Sequence, residues 1–184
     1  MFRMTDKPLF VINYNNMPFT PLHFGPSATI SLPLKRYIDV PVFILSNVAI
    51  DIEPLIVMNF HLSYPLHGMA HTFAGAAVIG MCLGLIAHWN KTHIKHLMEK
   101  IFRLEYAASF KKYVISGILG CWLHVLLDSP LYADIKPFSP FSDLNPLFGI
   151  VHGNLVYKVC AYAFIPAIFF YILIVIWEAK RTAG

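Results

Sequence analysis

The chain has 184 residues, 57% of them hydrophobic and only 13% charged. That apolar share is above what soluble domains carry and points to a membrane protein. The formal net charge of +4 could serve a nucleic-acid partner, but no zinc-finger, P-loop or Rossmann motif accompanies it, and the clustering of the basic residues is that of membrane topology signals, which excludes nucleic acid.

Residues 1–16 have no basic stretch leading into an apolar one, so a cleavable signal peptide is not expected. They read as a poorly ordered extension, with Met17 an alternative start, ahead of a single membrane-embedded helical domain over 17–184. Thr20 before Pro21 predicts the N-cap of a short membrane helix over about 21–34, weakened by Pro26 and Pro33. Four apolar runs follow at about 39–58, 69–89, 113–131 and 156–177. Each has the roughly 20 residues that cross about 30 Å of hydrocarbon. Between the second and third, Ile94, Leu97, Met98, Ile101, Phe102 and Leu104 recur at helical spacing among lysines. This predicts an amphipathic interfacial helix over about 93–112. The Pro-rich stretch 129–154 reads as a structured, functional loop. The expected fold is therefore all-α: a polytopic membrane helix bundle of four long transmembrane helices, one short N-terminal membrane helix and the interfacial helix.

Lys35 and Arg36, the Lys91 to Lys112 loop, and Lys180 with Arg181 all fall on one side if each run spans once. The positive-inside rule makes that side cytoplasmic, so His67, Asp128 and the 129–154 loop face outwards. Cys82, Cys121 and Cys160 lie in apolar runs and are read as free, buried thiols.

Against this apolar background the ionisable residues stand out. His124 and Asp128, and also His67 and His71, are four apart, which on a helix puts two polar side chains on one face. Counted at about 1.5 Å per residue from the basic ends, Asp51 lies roughly 22 Å up, His124 and His23 roughly 18 Å and Asp128 roughly 24 Å. Those heights bring side chains from four segments, with His71, into one outer layer, and unrelated buried polar groups have no reason to share a height. Imidazole and carboxylate donors converging in a bundle read as a metal site of His23, Asp51, His67, His71, His124 and Asp128, holding one or two divalent ions, zinc first, with iron or manganese as alternatives. The competing reading is helix-to-helix hydrogen bonding.

Glu53 stands two residues past Asp51 and would point away from it unless the helix ends near Pro54; it is read as a ligand or general base. His61 and His152 fall in outer loops, as substrate contacts or solvent-exposed residues. His88, His93 and His96 are read as surface residues. Gly80 and Gly84 form a GxxxG match, and Gly117 and Gly120 share the His124 face, which lets helices approach closely. The inner half of the expected bundle shows no polar residues matching the outer layer.

Thr20 with His23, Asp51 with Glu53, His67 with His71, and His124-Val-Leu-Leu-Asp128 followed by Lys136-Pro-Phe138 together resemble the bacterial multi-pass family of LexA-regulated, membrane-bound metal-dependent hydrolases. The resemblance runs from Met17 to about Pro140. Two departures stand out: Glu53 where the family has Asp, and Gly68 where Arg is common. The family is distantly similar to zinc-dependent phospholipase C and the P1-type nucleases, which implies phosphoester hydrolysis in a bacterial inner membrane with the site facing the periplasm or cell exterior. On that reading Asp51 or Glu53 takes the proton, and Tyr132, Asp134 and Lys136 meet the headgroup of a lipid or lipid-linked substrate. A metal or proton transporter, and a structural protein stabilised by its metal, are the alternatives.

Overall fold

The computed structural model describes residues 20–183. The expectations for residues 1–16 and Met17 lie outside the described residues. Every regular element among the described residues is helical. A 3-10 turn at Thr20–His23 leads into α1 (Phe24–Ser31), followed by α2 (Val40–Ala49), α3 (Ile52–Asn59), a 3-10 turn at Met69–His71 and α4 (Phe73–Trp89). After these come α5 (Lys91–His96), a π-helical turn at Leu97–Ile101, α6 (Phe110–Asp128), α7 (Gly153–Tyr162) and α8 (Phe164–Ala183).

Three segments are long and apolar enough to cross a membrane: Val40–Asn59, which joins α2 and α3, Phe110–Asp128, and Gly153–Arg181, which joins α7 and α8. A fourth exists only if α4 and the segment Lys91–Ile101, bent by 77° from it, count as one. The run expected as a helix over 69–89 loses its first turn because Thr72 caps α4 by accepting from the Gly75 N–H at 2.9 Å, which fixes the start at Phe73. α1 has eight residues, about 12 Å, and cannot span alone.

The interfacial helix expected over 93–112 stops at Ile101. Arg103 takes a positive φ of 53°, and the chain runs on without helix to the N-cap Ser109. Tertiary partners take up the backbone groups that helix would have used. Tyr171 donates to the Phe102 carbonyl at 2.9 Å, the Glu105 N–H donates to Glu178 at 2.6 Å, and Lys112 donates to the Ala107 carbonyl at 3.0 Å. Leu104 is buried where the periodicity had placed it on a helix face.

α6 is the central helix, packed on α4 along one side and α2 along the other. Glycines set the α4–α6 distance. A Cβ on Gly80 would meet the Gly117 carbonyl carbon at 2.5 Å, and one on Gly84 would meet Val114 Cα at 2.7 Å. Gly120 lies equally tight against the Phe43 carbonyl of α2. Cys121 and Cys160 are buried and free, but Cys82 is exposed on the outer face of α4, contrary to its expected burial. His88 is half-buried rather than on the surface, its ring edge-on to Phe110 and Tyr113. Only 11% of the Gly153–Arg181 window is buried, so α7 and α8 form a peripheral span with a broad apolar face turned outward.

Gly80→Val should lower the melting temperature in detergent by overpacking the α4–α6 contact, an effect of about 1–3 kcal/mol. Cys82→Ser, on the open face of the same helix, should leave it unchanged.

Candidate metal centre

Two local devices bring the site together. The span Val40–Asn59 is pinched at its centre: the Asp51 N–H bonds the Val48 carbonyl at 3.2 Å and the Glu53 N–H bonds that of Ile50 at 3.1 Å, three-residue steps inside an otherwise α-helical run. The break precedes Pro54, which sits in the first turn of α3, where its missing N–H leaves no hydrogen bond unmade, so Glu53 is helical after all. Opposite, the turn carrying His71 is tied to Glu53, whose carboxylate accepts from the Gly68 N–H at 2.9 Å, the Ala70 N–H at 3.2 Å and His71 Nδ1 at 2.9 Å. The His71 ring bridges the two carboxylates, with Nε2 3.9 Å from Asp51 Oδ1.

Asp51, His71, His124 and Asp128 each present one ligand-type atom, and these atoms lie within 4.8 Å of one another. Such a cluster can hold a metal ion. His71, His124 and Asp128 are buried, while the Asp51 side chain is 14% exposed. His124 Nε2 is 3.2 Å from Asp51 Oδ1 and 3.3 Å from Asp128 Oδ2. Yet His71 Nε2, His124 Nε2 and Asp128 Oδ1 make no hydrogen bond of acceptable geometry.

The far sides of the rings explain this. His71 Nδ1 is engaged by Glu53, and His124 Nδ1 lies 3.1 Å from His23 Nδ1, while His23 Nε2 lies 3.3 Å from Asp128 Oδ1. Protons on His71 Nδ1 and His124 Nδ1 satisfy the first two contacts, while His23 Nε2 only approaches Asp128 Oδ1. That assignment turns Nε2 of His71 and His124 towards the oxygens of Asp51 and Asp128, a grouping that a second proton on each ring or a bound cation would neutralise. A carboxylate behind a ligating imidazole is the usual support of a metal-bound histidine.

The other expected residues are distributed as follows. His23 touches His124 and Asp128 but is not one of the four. His67 is buried and edge-on to His71, with ring centroids 4.7 Å apart, and its Nδ1 is 3.0 Å from both carboxylate oxygens of Asp134. Burial alone would raise the Asp134 carboxyl, but the hydrogen bonds and charge of His67 hold it below its ordinary value. For His71, burial disfavours the proton, and the nearby Asp51 and Glu53 carboxylates outweigh that and raise the imidazole above its usual range. The Tyr132 ring lies on His67 at 4.3 Å, its phenol raised and held protonated by burial. Lys136 is exposed and paired with Asp143 at 3.1 Å, and His61 and His152 are exposed. The sequence reading missed the pairing of His67 with Asp134 and the purely supporting contacts of Glu53; a carboxylate six residues past Asp128, in a loop expected to be functional, was the available signal for the first.

Below the site a second polar feature appears that the sequence reading had denied. Ser27 and Ser31 of α1, Ser46 and Asn47 of α2 and Ser116 of α6 are buried, and Asp39, the N-cap of α2, is buried at the basic end. Neither side-chain polar atom of Asn47 has a hydrogen-bond partner, nor do the hydroxyls of Ser31 and Ser46.

No family model, curated protein or solved structure matches the chain, so the site chemistry carries the functional argument.

Glu53→Ala should leave two backbone N–H groups and His71 Nδ1 without their acceptor, a loss of about 2–3 kcal/mol or more read as a lower melting temperature. Glu53→Gln, which keeps two of the acceptor contacts, should be milder.

Proposed function

We propose that the chain is a membrane-bound metal-dependent hydrolase acting on a phosphoester or ester of a lipid-like substrate. The observation that carries the reading is the pair of buried imidazoles, each with Nδ1 already engaged, whose Nε2 atoms converge on two carboxylates. Asp51, His71, His124 and Asp128 hold the ion, zinc being the first choice for this donor set. When bound, the ion supplies a Lewis acid that acidifies water and polarises a phosphoryl or carbonyl oxygen. Glu53 and His23 orient His71 and His124 rather than ligate. His67, oriented by Asp134 and edge-on to His71, is the proton acceptor of the site, being an imidazole held by a carboxylate next to the cluster. Asp51 and Glu53 are the partly exposed members, so substrate enters from their side. The basic residues cluster at the opposite end: Lys112 precedes Asp128 by about 24 Å along α6. This favours an inner-membrane protein whose site faces the periplasm or cell exterior, with lipid or lipid-linked substrate drawn from the outer leaflet.

A transporter is the second reading, and one observation favours it. Buried Asn47, with no partner for its amide, and the serines around it continue polar character from the site towards Asp39. Intramembrane polar residues mark ion and proton paths as readily as catalytic sites.

Purified protein should carry near-stoichiometric metal by elemental analysis, and Asp128→Asn or His124→Gln should remove it. His67→Gln should retain the metal while lowering hydrolysis of a phosphoester probe by about 10²-fold or more. Protein that binds no metal at all would end the reading. If metal is present and no ester or phosphoester is turned over, while proteoliposomes take up ions in a manner abolished by Asn47→Leu, the transporter replaces it.

A further inference from the structure

Two cavities share a wall at the basic end of the molecule, and the larger runs from there up α1 to Phe24, the neighbour of His23. One, of about 480 Å³, is lined almost wholly by apolar side chains, among them Phe24 and Ala28 of α1, Ile44 of α2, Met98, and Ile168 and Tyr171 of α8. The other, of about 390 Å³, is lined by Lys35, Arg36, Lys112 and Arg181 with Asp39 and Glu105. Val40, Pro41, Met98 and Leu104 line both. A greasy groove therefore runs into a polar pocket, with Leu45 and Ile168 exposed on the groove's rim, on a face turned outward from the bundle.

The charges in the pocket are not equally engaged. Lys35 pairs with Glu178 and Arg181 with Glu105, and Asp39 accepts from the Tyr106 hydroxyl at 2.5 Å and the Val42 N–H at 3.1 Å. Lys112 is half-buried and reaches only carbonyl oxygens, those of Lys35 at 2.6 Å and Ala107 at 3.0 Å, and among the described residues no carboxylate lies within ion-pair distance of it. Arg36 is exposed, its guanidinium 5.8 Å from the Tyr37 ring centre, with no ion pair among the described residues. Arg36, with no ion pair among the described residues, and Lys112, which only the more distant Asp39 carboxylate attracts, thus line the polar pocket that adjoins the apolar groove. That is the chemistry of an anionic amphiphile, and both volumes fall in the range of ligand sites.

We propose that this end binds one anionic phospholipid, with an acyl chain in the groove between α1, α2 and α8 and the phosphate against Arg36 and Lys112. The guanidinium fork of Arg36 suits a phosphate oxygen pair, and Lys112 supplies a point charge beside it. The chain enters sideways past Leu45 and Ile168, so no water-filled path is needed. The site is separate from the metal centre and does not depend on the catalytic reading.

The test uses the full chain purified in mild detergent, exposed in turn to mixed micelles of phosphatidylglycerol, of phosphatidylcholine with the same acyl chains, and to inorganic phosphate. Retained lipid is read by native mass spectrometry, with metal content measured on the same samples. Phosphatidylglycerol should be retained about tenfold or more over phosphatidylcholine. Arg36→Gln, at an exposed position, should remove most of that preference with metal content unchanged. Ala28→Phe, which fills the groove, should abolish retention of both lipids. Equal retention of the two lipids by the native chain, or a preference that survives Arg36→Gln, overturns the proposal. So does inorganic phosphate raising the melting temperature as much as the lipid, which would make the pocket an ion site only. Loss of metal in Ala28→Phe would mark that variant as misfolded, and Arg36→Gln then decides alone.

Discussion

Everything at the upper end of the molecule answers to one electrostatic constraint: lone pairs of two imidazoles and two carboxylates are turned towards one another in a place nearly without water. Among uncharged neighbours such an arrangement is repulsive, and each unpaired polar group costs a few kcal/mol on top. A cation at the centre, or protons on the imidazoles, offsets that repulsion. The surrounding contacts make sense as the means of holding ligands in wait. Glu53 fixes the His71 ring and the backbone of the turn that carries it, His23 fixes the His124 ring, and the pinch between α2 and α3 aims Asp51 at His124 while Glu53 faces His71.

That constraint propagates into helix contacts. His124 and Asp128 ride on α6, Asp51 on the α2–α3 span and His71 on the turn ahead of α4, so the centre closes only where all three approach. Glycines at 80, 84, 117 and 120 permit it, since any side chain there would push backbones apart. In a lipid phase there is no hydrophobic drive between helices, and close backbone contact of this kind supplies the association energy instead. The same faces of α2 and α6 carry buried Ser46, Asn47 and Ser116 further down, so the helix faces that build the site are polar over much of their length, while α7 and α8 remain apolar on the periphery.

Much of this could be read from the sequence because the bilayer makes polarity expensive. His124 and Asp128 in an apolar run announce themselves, and rise per residue then sets a height at which Asp51 and His71 join them. Height says nothing about direction around a helix axis, and there the reading failed. His67 was assigned to the same ligand set through its four-residue spacing from His71, but the two belong to a turn, and a carboxylate 67 residues away in the loop engages it. The interfacial helix was extended to 112 on periodicity alone, whereas Tyr171, Glu178 and Lys112 claim its backbone groups, partners that local pattern cannot reveal. The polar face below the site was passed over for a related reason: serine and asparagine scattered at helical spacing among Val, Ile and Phe do not lower hydropathy enough to attract notice, and only burial without partners makes them conspicuous.

The number and kind of donors bear on whether the centre is a tool or a staple. Zinc in structural sites takes four protein ligands and is closed, whereas catalytic zinc keeps a position for water. Two imidazoles and two carboxylates would fill a tetrahedron, so a zinc ion here needs one donor to yield or a fifth position to open. Asp51 is the donor placed to yield, being partly exposed where Asp128 is enclosed between His23 and His124. A six-coordinate ion such as manganese or iron would leave two positions open with all four ligands in place. The two carboxylates are thus unequal, Asp51 partly exposed and Asp128 enclosed. One side of the cluster, that of Asp51, is therefore reachable from water while the other is closed.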